Sequence, residues 1–145
     1  MKLIKKDTLM RARVSKKLKE PIQAHHTAEE KKQVLTKSIL RLAEHLQLSR
    51  QELAIILGSS QSSLSRLFAK TIFIDPASKE GELAILLLRI YRSLHALLGG
   101  NLIQCQLWLR SENKHLHEKP ITLIQSIQGL VLVVQYLDAM RGKNG

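Results

Sequence analysis

The apolar positions of this chain change period several times. Residues 1–32 have no sustained period: apolar residues are sparse and Pro21 interrupts them. From Gln33 onward Val34, Leu35, Ser38, Ile39, Leu42, Ala43 and Leu46 recur at helical spacing. They predict an amphipathic helix of about four turns that ends near Leu48. Ser49-Arg50-Gln51-Glu52 then reads as a capping box, the Ser49 hydroxyl accepting from the Glu52 amide and the Glu52 carboxylate reaching back. Leu53, Ala54, Ile56 and Leu57 give the next helix a short apolar face, and Gly58 stops it because glycine tolerates a left-handed backbone. Either Ser59 or Ser60 suits the cap of a further helix, with Leu64, Leu67 and Phe68 on one side and Gln61, Ser62, Ser65, Arg66 and Lys70 on the other. Asp75-Pro76 ends this block.

The second half is more apolar. Glu82 to Leu98 predicts a long helix rich in Leu and Ile, closed by Gly99-Gly100. Asn101 caps a helix from Leu102 to Arg110, and Ser111 to Lys119 reads as a loop or one short turn. Pro120 fits the first turn of a helix running to Gln128, and Gly129 is expected to break or bend the chain before a last helix from Leu130 to Arg141. Leu130 to Val134 taken alone also fits a buried strand, but no second strand-like run exists to pair with it. The expected fold is therefore all-α: a basic N-terminal arm over 1–32, a helix–turn–helix unit over 33–75, and a helical unit over 76–145.

Charge sharpens this division. Residues 1–70 carry 15 Lys+Arg against 6 Asp+Glu, a net of +9, whereas residues 71–145 carry 8 against 6, a net of +2. A polyanion partner for the first half follows, although a merely solvated face has the same composition. Aromatic residues make up 3% of the chain, too few to stack a series of unpaired bases, which favours duplex over single-stranded nucleic acid. Ala54 at the helix crossing, Gly58 in the turn, and Leu53, Leu57, Leu64 and Leu67 facing inward satisfy the demands of a helix–turn–helix. Ser60, Gln61, Ser62, Ser63, Ser65, Arg66 and Lys70 are then the candidate DNA contacts. Arg66 suits the two acceptors of guanine, Gln61 suits adenine, and the serines allow close approach. An ordinary helical hairpin in a core is the plainer alternative.

The stretch Arg50 to Leu67 resembles the Xre-type, Cro/repressor-like helix–turn–helix, with Ser59 where that family usually has an aliphatic residue. The run Lys79 to Leu94, with Trp108-Leu109, Asn113, Pro120-Ile121 and Gly129 through Gly142, is similar to the toxin-binding domain of the Xre/MbcA/ParS antitoxins. This resemblance, over about Gln33 to Lys143, implies a bacterial toxin–antitoxin pair. The partner would be a toxin with an Arg-Glu-Ser (RES) domain, which attacks NAD or transfers ADP-ribose from it. The antitoxin would block that toxin and repress the shared operon by binding duplex operator DNA. The residues Arg141 to Gly145 read as a short flexible basic tail that bends at Gly142, and the resemblance further implies that Tyr136, Asp138, Arg141, Gly142 and Lys143 lie against the toxin. A stand-alone Xre-family regulator with a ligand-binding or dimerisation domain is the alternative.

Other chemistry has little support. Cys105 with Asn113, His115 and His117 has the residue types of a thiol catalyst, but it sits in an apolar helix where a free cysteine is ordinarily core. His25-His26 and His115-Leu116-His117 lack the further ligands of a metal site. No enzyme activity, cofactor or metal is expected. The longest apolar run, Leu83 to Leu88, is far short of the roughly 20 residues of a membrane span. A single cysteine and an N-terminus without a signal-peptide pattern indicate a cytoplasmic protein. The breadth of apolar surface on Glu82 to Leu98 suggests a homodimer or a partner surface, unless this helix is wrapped by its own neighbours.

Overall fold

A computed structural model of the protein describes residues 27–144; of the arm expected over 1–32, residues 1–26, including His25-His26, lie outside the described residues, and residues 28–32 are helix rather than arm. The described residues form seven helices and no strand: α1 (Ala28–His45), α2 (Arg50–Leu57), α3 (Gln61–Phe68), α4 (Lys79–Leu97), α5 (Leu102–Arg110), α6 (Pro120–Leu123) and α7 (Ile127–Asn144). The all-α expectation holds, and Leu130 to Val134 is helix.

α1 starts five residues before the apolar period does, because Thr27 and Glu30 form a capping box across its first turn. Its buried face is Leu35, Ile39, Leu42 and Ala43, with Leu46 just beyond. Two positions depart from the expected stripe. Val34 is 54% exposed, whereas Thr36 is 2% exposed. Thr36 is buried because its hydroxyl has both partners: it donates to the Lys32 carbonyl at 2.8 Å and accepts from the Ile74 amide at 2.8 Å. A buried hydroxyl satisfied on both sides costs little, and this one pins the loop after α3 to α1.

α4 is the central beam. It packs against α1, α2, α5 and α7, and buries Ala84, Leu87, Ile90 and Leu94. Much of its wide apolar surface is thus covered by its own chain, although Ile85 is 46% exposed. Ser78 caps α4 by accepting from the Gly81 amide at 3.0 Å. Gly81 is itself required: a Cβ there would lie 2.0 Å from the Asp75 carbonyl.

The expected helix from Pro120 to Gln128 is only a single turn, α6, and the break falls at Ser126 rather than at Gly129. The Ser126 hydroxyl accepts from the Gly129 amide at 3.1 Å and so starts α7 early. Gly129 therefore sits inside the first turn of α7. It is glycine for a steric reason: a Cβ would meet the Leu123 carbonyl at 1.9 Å. No single helix among the described residues is long and apolar enough to cross a membrane.

Candidate functional site

The α2–α3 pair has the geometry expected of a helix–turn–helix. Ser49 caps α2: its hydroxyl accepts from the Glu52 amide at 3.0 Å, and the Glu52 carboxylate accepts from the Ser49 amide at 2.9 Å. Leu53, Ala54, Leu57, Leu64 and Leu67 are buried, and Gly58 takes φ 66° to end α2. Ser60, not Ser59, caps α3 and accepts from the Ser63 amide at 3.1 Å. Ser59 instead donates to the Glu80 carboxylate. The polar residue in the turn thus tethers it to the first turn of α4, in place of the apolar packing that an aliphatic residue would supply.

The candidate DNA contacts divide by this geometry. Gln61, Ser62, Ser65, Arg66 and Lys70 are exposed along α3 and its C-terminal end. Arg66 has no side-chain partner among the described residues, so its guanidinium is free to meet a base edge. Ser60 is exposed but its hydroxyl is held in the cap, and Ser63 is half-buried against it, with the two hydroxyls 3.0 Å apart. Lys70 has φ 60°. Its amide donates to the Leu67 carbonyl at 3.1 Å, and that of Thr71 to the Arg66 carbonyl at 3.0 Å, closing α3 in a left-handed cap.

The second candidate set lies on α7. Tyr136 is half-buried and its ring stacks on Trp108, centroids 6.3 Å apart and planes 21° apart, with His115 6.1 Å away on a tilt. Asp138 pairs with Arg89 of α4. The Arg141 guanidinium lies 3.4 Å from the Ser93 hydroxyl. The expected bend at Gly142 is not found, and Gly145, the last residue of the expected tail, lies outside the described residues. Arg141, Gly142 and Lys143 continue α7 as helix, which runs to Asn144. The i to i−4 ladder persists, and the contact of Arg141 with Ser93 holds the last turns against α4.

The sequence pattern does not reveal the residues that fasten the helix–turn–helix to the second half. Arg110, on α5, makes a two-pronged contact with Glu52, Nη1 and Nη2 donating at 3.0 and 2.9 Å, while Nη2 also donates to the Gln47 carbonyl at 2.9 Å. Gln106, one turn earlier on α5, donates to the His45 carbonyl at 2.8 Å. The His45 ring nitrogen Nδ1 lies 2.6 Å from the Tyr91 hydroxyl of α4. These contacts clamp the end of α1 and the start of α2 onto α4 and α5. Hydrogen bonds from Arg110 outweigh burial and, with those from Ser49, lower the Glu52 pKa to about 2. The same contact raises that of Arg110. Nothing in the local pattern marks this pair, since its members lie 58 residues apart.

Cys105 is fully buried and burial pushes its thiol pKa up, the reverse of what a nucleophile needs. Asn113 is committed to building its loop, its side-chain oxygen accepting from the His115 amide at 2.9 Å and the Leu116 amide at 3.1 Å.

Residues 25–89 match the antitoxin Xre-like helix-turn-helix domain, and residues 93–143 match the antitoxin Xre/MbcA/ParS C-terminal toxin-binding domain. Comparison with curated proteins returns no match. The first match contains α1 to α3 and the start of α4; the second runs from the end of α4 into α7. With both domains in their order and nearly end to end, the chain belongs to the Xre/MbcA/ParS antitoxin family.

Proposed function

We propose that the chain neutralises an RES-domain toxin, one that consumes NAD or transfers ADP-ribose, by binding it directly, and that in the cytoplasm it represses its own operon. What supports this reading most is the match of residues 25–89 to an antitoxin helix-turn-helix domain and of residues 93–143 to a toxin-binding domain, the two joined through α4. Toxin contact runs through the outer end of α7, where Tyr136, Asp138, Arg141, Gly142 and Lys143 gather an aromatic ring, an ion pair and exposed cations. Cations at the mouth of a pocket that holds pyrophosphate compete for the anionic part of NAD. DNA contact runs through Gln61, Ser62, Ser65, Arg66 and Lys70, with Ser60 and Ser63 shaping the helix start. Two copies, joined along an edge where Ile127 is 67% and Val131 37% exposed, would present two recognition helices to operator half-sites about 34 Å apart.

The test is co-expression with the protein encoded beside it, scored by recovery of a stoichiometric complex and by cellular NAD. Rescue of NAD by the full chain, and weaker rescue by a chain truncated after Met140 that still shifts operator DNA, are expected. Full rescue by the truncated chain would remove the end of α7 from the mechanism. Sedimentation as a monomer at tens of micromolar would rule out the dimer.

A further inference from the structure

We propose that the groove between α1 and the α2–α3 pair docks an acidic amphipathic segment of a partner protein. The groove has a volume of about 1210 Å³ and is lined by α1, the start of α2, Phe68 of α3 and Arg110 of α5. Along one wall runs a single face of α1, with Lys37, Leu40, Arg41 and Glu44 at helical spacing. The lining alternates two chemistries. Leu40, Leu48, Phe68 and Phe73 provide apolar surface, all of them partly open to solvent. Lys37, Arg41, Arg50 and Lys70 provide positive charge. Arg50 lies 4.2 Å over the Phe68 ring, and none of the four forms an ion pair among the described residues. Of the two carboxylates present, Glu52 is already matched by Arg110, so Glu44 alone offsets the four cations.

The occupant follows from this mixture. Duplex DNA would satisfy the cations but leave the apolar surface wet. A small anion would leave most of the volume empty, since small-molecule pockets run to about 300–1,000 Å³. Residues 1–26 of the chain carry 8 Lys+Arg against 2 Asp+Glu, the same sign as the groove. A helical segment with apolar residues on one stripe and carboxylates beside it meets both chemistries at once. The proposal is separate from toxin binding by α7, so its failure leaves the antitoxin reading untouched.

The test is selection of a displayed library of random 16-residue peptides on the full chain. Enriched peptides should pair Asp or Glu with Leu, Ile or Phe at helical spacing. A synthetic peptide of the enriched type should lose about tenfold in affinity on Lys37→Glu with Arg41→Glu. It should lose about fivefold on Leu40→Asn, which keeps every charge. All three substituted positions lie on the outer face of α1, and helical content and melting temperature check that each variant folds. Absence of enrichment overturns the proposal. So does a peptide indifferent to Leu40→Asn, which reads charge alone, or one indifferent to the charge reversals, which binds elsewhere.

Discussion

The arginines of the two halves are put to different uses. In the half built on α1 to α3, Arg41 and Arg66 carry no internal ion pair among the described residues. In the half built on α4 to α7, Arg89 meets Asp138, Arg110 meets Glu52 and Arg141 meets Ser93. Charge left unmatched on an exposed face is available to a polyanion and costs little in water. Charge matched inside the chain sets the angles between helices. Two arginines of the second half, Arg89 and Arg110, are thus engaged in internal ion pairs, as none of the first half is among the described residues, although Arg92 on α4 is exposed without one.

Four substitutions bear on this contrast, from the largest effect to the smallest. Gly129→Ala should unfold or severely destabilise the second half, by about 3 kcal/mol or more, because its Cβ would overlap the Leu123 carbonyl. Denaturant titration followed by Trp108 fluorescence measures it, and a loss under 1 kcal/mol would show that this seam repacks easily.

Arg66→Ala should cost about 1–3 kcal/mol of operator affinity with no loss of stability, as befits a residue with no internal role. A gel-shift titration at fixed salt beside a thermal melt separates the two, and lowered stability would move Arg66 to the architectural class.

Arg110→Ala should do the opposite. It should lower stability by about 1–2 kcal/mol, discounted for the 44% exposure of its side chain. The pH dependence follows with its sign. Glu52 has its folded pKa depressed from 4.5 to about 2, so its contribution is present above about pH 4.5 and fades as pH falls toward 2. Stability curves of the wild type and Arg110→Ala should therefore converge on acidification. Parallel curves would mean that Arg110 acts through packing alone.

Lys70→Gly should be the mildest. Glycine relieves the left-handed backbone at this position and raises stability by about 0.5–1 kcal/mol. If Lys70 contacts a phosphate, the slope of log affinity against log salt should shrink by about 0.9. An unchanged slope would take Lys70 out of the DNA contact.

How far the fold can be read from the sequence depends on the range of the interactions. The helix–turn–helix is legible because its signals are local: Ser49 with Glu52 three residues on, Gly58 at the turn, and leucines at helical spacing. Asn101 and Leu102 to Arg110 are legible for the same reason. The start of α1 is less so, because Thr27 and Glu30 announce it within a polar stretch that hides the period. Thr36 and Val34 exchange their expected places because polarity read from residue type ignores a partner 38 residues away, the Ile74 amide. Gly129 looks like a helix breaker until the Leu123 carbonyl is seen beside it. Of the candidate site, the exposed face of α3 follows from period alone, whereas the Arg110 clamp is purely a product of tertiary structure. The end of α7 was expected to bend at Gly142, but helix hydrogen bonding overrides the freedom of a single glycine.

The two matched domains meet at residues 89 and 93, inside α4, with no linker between them. Their relative orientation is therefore a matter of helical phase. Each residue added to or removed from a helix turns everything beyond it by about 100° and shifts it by about 1.5 Å. An insertion between Arg89 and Ser93 would turn Ser93, Asp138 and Arg141 together, keeping the Arg141–Ser93 contact while carrying Asp138 away from Arg89. Recombination between relatives at this junction can join a new toxin-binding domain to a given DNA-binding domain only when the register of α4 is kept, so the reading frame of the helix, like that of the gene, limits which hybrids work.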